Sequence, residues 1–286
     1  MSESRPAAPA VAILMYHSIA SSTTACFRDL TVDPLLFDEQ LAALHDHGCR
    51  FISVKDVPTW LAGGGQRRAG PVVAISIDDG LADAATNAAA MLARHRIPAT
   101  IFIPTAYVGA RARWLSGDDS NRPLMDWRTI GALAEAGLEI GSHGHRHLAA
   151  DLSAPTVVRA DAAYSKNLLE SRLGRQVTSY AYPFGYQTAA ARHAVRGAGF
   201  SQACALVNLP AVASDDPFAL PRLHVGPETT PELLTQLVGS RPVGIARRRA
   251  EVKQRIWLAG RRWAGWGPPE AGATALQGVL GAYPEW

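Results

Sequence analysis

A chain of 286 residues, 48% hydrophobic and 19% charged, holds enough apolar material for a sizeable core; it exceeds the usual single-domain size yet fits one α/β barrel. The formal charge of +3 does not call for a nucleic-acid partner, and the basicity is local: residues 245–263 carry seven Arg or Lys against the single acid Glu251, while residues 1–244 carry 21 basic and 22 acidic side chains, a net of −1. Three isolated cysteines, Cys26, Cys49 and Cys204, lack any CxxC spacing, which excludes a disulfide framework or a zinc ribbon as the organising device.

Residues 1–9 are polar and proline-rich, with no charged-then-apolar leader, and no run approaches the length needed to cross a bilayer, so a cytoplasmic location is expected. From there short apolar, partly β-branched runs recur at 11–16, 50–54, 72–77, 99–104, 138–141, 178–182, 200–206 and 219–225, each of strand length. Between them lie segments of helical spacing. Asp33-Pro34 sets a cap and a first-turn proline ahead of Leu36, Phe37, Leu41 and Leu44, and similar segments span 81–96, 126–136, 155–173, 188–198 and 231–238. Several end in glycine, at Gly137, Gly174 and Gly199. Alternating strand and helix predicts a parallel sheet covered by helices, closed or nearly closed into a distorted (β/α) barrel of about seven strands. An open doubly wound sheet is the alternative, but no strand is followed by a Gly-rich phosphate loop. The expected organisation is a flexible N-terminus at 1–9, one catalytic domain at 10–240 and a basic helix and tail at 241–286.

The chemistry concentrates at the ends of these runs. Asp78-Asp79-Gly80 closes the third, offering one carboxylate to a metal and its neighbour as a base; the competing account is a turn that caps a helix beginning near Leu81. His143, His145 and His147 follow the fifth, and three imidazoles in five residues are too many to satisfy as core. If the segment after His143 coils into a helical turn, His143 and His147 face one side at metal-binding spacing, and His145 points elsewhere. Pro183-Phe184-Gly185, His224 and His17 follow other runs. In a barrel all of these fall on the C-terminal rim, which independent turns and core histidines would not predict.

These motifs resemble those of the polysaccharide deacetylase family, the NodB homology domain or carbohydrate esterase family four. Ser76-Ile77-Asp78-Asp79-Gly80 is similar to its TFDDG motif, Ser142 to His147 to its metal motif, Tyr182-Pro183-Phe184-Gly185 to its Arg-x-Pro-Tyr-Gly segment, and Leu223-His224 to its late Leu-x-His element. Met15-Tyr16-His17-Ser18 resembles the start of an exopolysaccharide-associated branch, and the resemblance covers roughly residues 10–240. Where many members carry an arginine two residues before the proline this chain has Ala181, and Arg222 is the expected substitute, with a surface ion pair as the competing account.

The resemblance implies a hydrolase removing N-acetyl groups from an N-acetylhexosamine-containing glycan, oligosaccharide or lipid-linked sugar. Asp79, His143 and His147 would hold a divalent ion, Zn²⁺ first, with Co²⁺ or Ni²⁺ compatible with mixed N/O ligation. Asp78 would be the base, the Phe184 N–H an oxyanion donor beside Pro183 and Gly185, and His17 or His224 the general acid, with His17 favoured. An O-acetyl esterase, a small-molecule amidase and a catalytically silent carbohydrate-binding relative are the alternatives. In the tail Ile245, Val252, Ile256, Ala259 and Trp263 share one helical face flanked by cations, so residues 245–266 either lie on an anionic membrane surface or pack on the barrel.

Overall fold

The computed structural model describes residues 10–63 and 70–240. The basic segment 245–266, with its membrane or packing role, lies outside the described residues.

The chain begins with β1 (Ala10–Tyr16), followed by the short parallel pair β2 (Ser18–Ile19) and β3 (Thr31–Val32) and helix α1 (Pro34–Asp46). Next come β4 (Arg50–Ile52), α2 (Val57–Ala62) and β5 (Val72–Ile77), then a helix that is π-helical over Ala84–Ala88 and continues as α3 (Ala89–Arg94). β6 (Ala99–Ile103), α4 (Trp127–Glu135), β7 (Glu139–Ser142), α5 (Pro155–Leu173), β8 (Ser179–Ala181), α6 (Ala189–Gly197) and β9 (Gln202–Cys204) repeat the alternation. The described chain ends with β10 (Ala211–Val212), β11 (Leu223–His224) and α7 (Pro231–Gly239).

The strands form a curled sheet in the order β10-β1-β5-β6-β7-β8-β9, with β11 also on β1 and β4 also on β5. Every pairing but one is parallel; β10 alone runs antiparallel, on the first two residues of β1. The segment leading into β11 draws the two edges together. Leu220 bridges in parallel to Cys204 at the end of β9, and Leu223 and His224 pair with Leu14 and Met15 of β1. The expected barrel is therefore what the chain forms, and the open-sheet alternative is not.

Strands buried on both faces need continuous apolar runs rather than alternating ones, and β5 and β6 are buried at every position. One face meets the helices through Leu14, Ile75, Ile77, Ile101 and Ile140, against Phe37, Leu41, Leu92 and Leu169. The other fills the barrel interior with Val11, Ile13, Ala74, Phe102, Ala181 and Cys204. The predicted caps are in place: Asp33 accepts from the Leu35 N–H with Pro34 in the first turn, and the side chains of Asp126, Thr188 and Thr230 each cap a helix. The segment at 219–225 yields only two residues of strand, because Pro221 interrupts it.

Candidate metal site and catalytic rim

Parallel strands that share a register deliver their C-terminal ends to one rim, and the geometry there is specific. β1 and β5 pair through Tyr16 and Ile77, so His17 and Asp78 leave adjacent strands side by side, joined by the Asp78 N–H to Tyr16 carbonyl bond of 2.9 Å. β6 and β7 pair through Ile103 and Ser142, and the His143 N–H donates to the Ile103 carbonyl at 2.9 Å.

Asp79, His143 and His147 come together as a buried set whose ligand atoms all lie within 4.8 Å of one another. Asp79 Oδ1 is 3.4 Å from His143 Nε2 and 3.2 Å from His147 Nε2. Two imidazole nitrogens and a carboxylate oxygen at this spacing fit a divalent ion with open positions for water and substrate. His143 is oriented from behind, its Nδ1 lying 2.9 Å from the Ala181 carbonyl, which leaves Nε2 as the ligand atom. Both imidazoles contact Asp79 and hold its carboxyl well below the usual range against the upward pull of burial.

The means by which the histidines meet differs from the expected helical turn. Residues 143–149 are not helical; His147 has φ 54° and Gly144 φ 75°, so a loop with two left-handed residues turns the rings toward each other, 4.9 Å apart. Gly144 is required here. A Cβ at that position would sit 2.9 Å from Asp161 Oδ2, in a backbone conformation side chains rarely adopt. Asp161, buried on α5, clamps the loop by accepting from the N–H groups of His145 and Arg146 at 2.7 and 3.2 Å and from Arg146 Nε at 3.0 Å. His145 does point elsewhere, its Nδ1 on the Thr105 hydroxyl and its ring against Tyr164. Asp79 is itself left-handed, at φ 71°, so the residue after Asp78 is turned out of the strand line toward the histidines.

Asp78 is held quite differently. Arg222 Nη1 and Nη2 donate to its two oxygens at 2.7 and 2.8 Å, a bidentate pair with the arginine fully buried. The surface ion-pair account of Arg222 is thereby corrected, and the place left by Ala181 is filled from β11's approach to β1. Burial pulls the Asp78 carboxyl up, but Arg222 and then His143 outweigh it and keep the group below its ordinary value. The Ser76 hydroxyl donates to the Leu14 carbonyl at 2.9 Å and lies 3.3 Å from Arg222 Nη1.

His17 and His224 occupy the same side of the rim, with ring centres 6.4 Å apart. His17 Nδ1 and His224 Nε2 are both buried without a hydrogen-bond partner. Burial lowers both; His17 also feels Asp79, Asp78, Arg222 and His143, whereas His224, pushed down to about 3, feels His17, the Asp29 backbone and Arg222. The two carboxylates thus act on His17 and not on His224. The turn of residues Pro183–Gly185 presents Phe184 in a left-handed conformation, φ 62°, with its ring edge-on to His147 at 4.8 Å between ring centres.

The residues that sequence reasoning missed support the named ones. Asp161 lies on the buried stripe Val158, Asp161, Ala162, Ser165 and Leu169 of α5, and an acid on an apolar helix face is the signal that marks it. Asp83 accepts from the Ser18 hydroxyl at 2.6 Å and the Ile19 N–H at 3.3 Å, while Asn87 donates to the Ile19 carbonyl at 2.6 Å, fixing the segment just after His17.

Residues 65–203 match the family model described as polysaccharide deacetylase. Over that stretch the chain is similar to the polysaccharide deacetylase family. A Bacillus subtilis (strain 168) protein named for the same family, YxkH, is 27% identical over 217 residues, 75% of this chain and 71% of its own. The fold is that of the Streptococcus pyogenes deacetylase PplD, with a TM-score of 0.72 at 22% identity over 82% of this chain and 100% of that one. IcaB from Ammonifex degensii is similar to it at TM-score 0.69 and 22% identity, covering 81% and 98%. The matched stretch includes β5 to β8, and the rim at their ends holds a potential metal site of Asp79, His143 and His147.

Proposed function

We propose that this protein is a metal-dependent N-deacetylase of N-acetylhexosamine units in a glycan, oligosaccharide or lipid-linked sugar. The observation that carries the reading is the juxtaposition of a bidentately held, ionised Asp78 with a buried Asp-His-His donor set one residue away.

A divalent ion on Asp79, His143 and His147, Zn²⁺ in the first place, would supply an acidified water and polarise the acetyl carbonyl. The chain's own groups do the rest. Asp78 takes the proton from water as its oxygen adds to the acetyl carbon; Arg222 keeps that carboxylate ionised and aimed. The Phe184 N–H, on the turn after Pro183 and before Gly185, donates to the oxygen that gains charge. When the C–N bond breaks, the departing amine takes a proton from His17, and acetate and a free amino sugar leave.

His17 is taken as the acid because Asp79 and Asp78 both act on it and favour its protonated form against burial, whereas no carboxylate charge is among the influences on His224. An amine leaving group needs such an acid far more than an alkoxide does, which favours amide over ester cleavage. PplD was solved in complex with acetate, the product this reaction releases. Acetate release from a matched panel of N-acetylated and O-acetylated mono-, oligo- and lipid-linked sugars tests the reading; turnover confined to the O-acetyl compounds would overturn it in favour of an esterase.

A further inference from the structure

The two candidate metal histidines are oriented by different means. His143 has the hydrogen bond that a ligand imidazole ordinarily makes through its second nitrogen, to the Ala181 carbonyl. His147 has none: its Nδ1 is buried and without a hydrogen-bond partner. An imidazole free to tilt or flip would present either nitrogen to the ion, so something else must hold the ring. Its neighbours are aromatic. Trp114 stacks on one side at 4.5 Å between ring centres and 23° between planes, Phe184 meets it edge-on at 4.8 Å and 73°, and His143 lies at 4.9 Å and 69°.

Trp114 is in turn rigidly mounted. The segment that carries it leaves β6 and returns to α4 as a ribbon, with Gly109 and Ala112 N–H groups donating to the Met125 and Arg122 carbonyls at 2.8 and 3.0 Å. Its tip is tied down through Asp119, which accepts from Arg122 Nε at 2.8 Å and from the Thr24 hydroxyl of the β2–β3 connection at 2.6 Å. Beneath it lies a small apolar core separate from the barrel, Phe27, Leu30, Leu81, Ala112 and Leu124, against which Tyr107, Trp114 and Leu115 pack. Tyr107 meets the Trp114 ring edge-on at 4.7 Å.

We propose that Trp114 is a positioning residue for the metal centre: its indole face, backed by the rim core, holds the His147 ring in place of the missing hydrogen bond and keeps Nε2 turned to Asp79. The inference rests on Asp79, His143 and His147 being the metal ligands. Loss of a supporting partner behind a ligand histidine typically weakens metal binding by about 10–100-fold.

The test is metal affinity, measured on the full chain by competition of Zn²⁺ against a chromophoric chelator. Trp114→Ala is expected to bind about 10–100-fold more weakly while the metal-free protein still unfolds cooperatively, and Trp114→Phe, which keeps a flat face, to stay within about threefold of the unsubstituted protein. In the Co²⁺-loaded protein the visible spectrum should change in Trp114→Ala and not in Trp114→Phe, a signature that a merely structural role would not move. Unchanged affinity and spectrum in Trp114→Ala would overturn the inference. Should Trp114→Ala fail to fold, Trp114→Leu, which fills space without a ring face, carries the test with the same expected loss, and full affinity there would equally overturn it. A parent protein that takes up no Zn²⁺ would instead refute the ligand assignment itself.

Discussion

Asp78 and Asp79 are neighbours in the chain, yet each carboxylate is held by a different part of the molecule. Asp78 is saturated by protein donors: Arg222 occupies both oxygens, Ser76 steadies Arg222, and all three are buried. Asp79 faces only His143 and His147, brought to it across left-handed backbone at Asp79, Gly144 and His147. One half of the rim is complete within the chain, where Arg222 keeps Asp78 ionised. The other half converges a carboxylate and two imidazoles, and among the described residues no Arg or Lys forms an ion pair with Asp79, which is the arrangement an ion completes. The lesson is that a dipeptide can serve two roles when the fold supplies each residue with its own partners.

The sharpest way to break this comparison is to neutralise each acid singly. Asp78→Asn should lower acetate release by about 10²–10⁴-fold with the metal still bound, whereas Asp79→Asn should lose the metal and recover part of its activity at high metal concentration. Metal titration of both variants distinguishes them; equal metal loss in the two would erase the division of labour.

Removing Arg222 leaves Asp78 buried without its partner, so Arg222→Ala should destabilise the fold by about 3–5 kcal/mol, read as a lowered urea midpoint. Because the pair belongs to the half that is complete without metal, the loss should persist in chelated protein. Metal itself should add about 2.7 kcal/mol at a hundredfold excess over its dissociation constant, visible as a concentration-dependent melting temperature that His143→Ala abolishes.

The effect confined to acid pH concerns His224. Its folded pKa of about 3 lies below the unfolded value near 6.5, so between these the unfolded chain binds more protons. Its contribution to stability is intact above pH ~6.5 and declines as pH falls toward ~3. His224→Asn should flatten that part of the stability–pH curve, and denaturant melts across the interval check it.

Much of this was legible beforehand because it rests on short-range chemistry. Buried parallel strands need unbroken apolar runs, so β1, β5 and β6 could be located, and Asp33-Pro34 and Thr188 announce helix starts by their capping. The rim residues were legible as strand-end groups once a barrel was inferred. What escaped are features set by contacts distant in sequence. The Asp161 clamp, 16 residues from the loop N–H it binds, and the stacking of Trp114 on a histidine 33 positions later depend on how loops lie over the rim. The left-handed loop that joins His143 and His147 is not told from a helical turn in the sequence, because a four-residue spacing serves either geometry. α2, β10 and the β2–β3 pair are short elements stabilised by tertiary contact, with too few residues for periodicity to speak.

The central claim, a base and an ion side by side on one rim, is tested most directly by measuring acetate release and bound metal together in protein stripped with a chelator and then reloaded. The account predicts one divalent ion per chain, no release when stripped, and release restored in proportion to the ion regained. Undiminished acetate release from the fully stripped protein would contradict it.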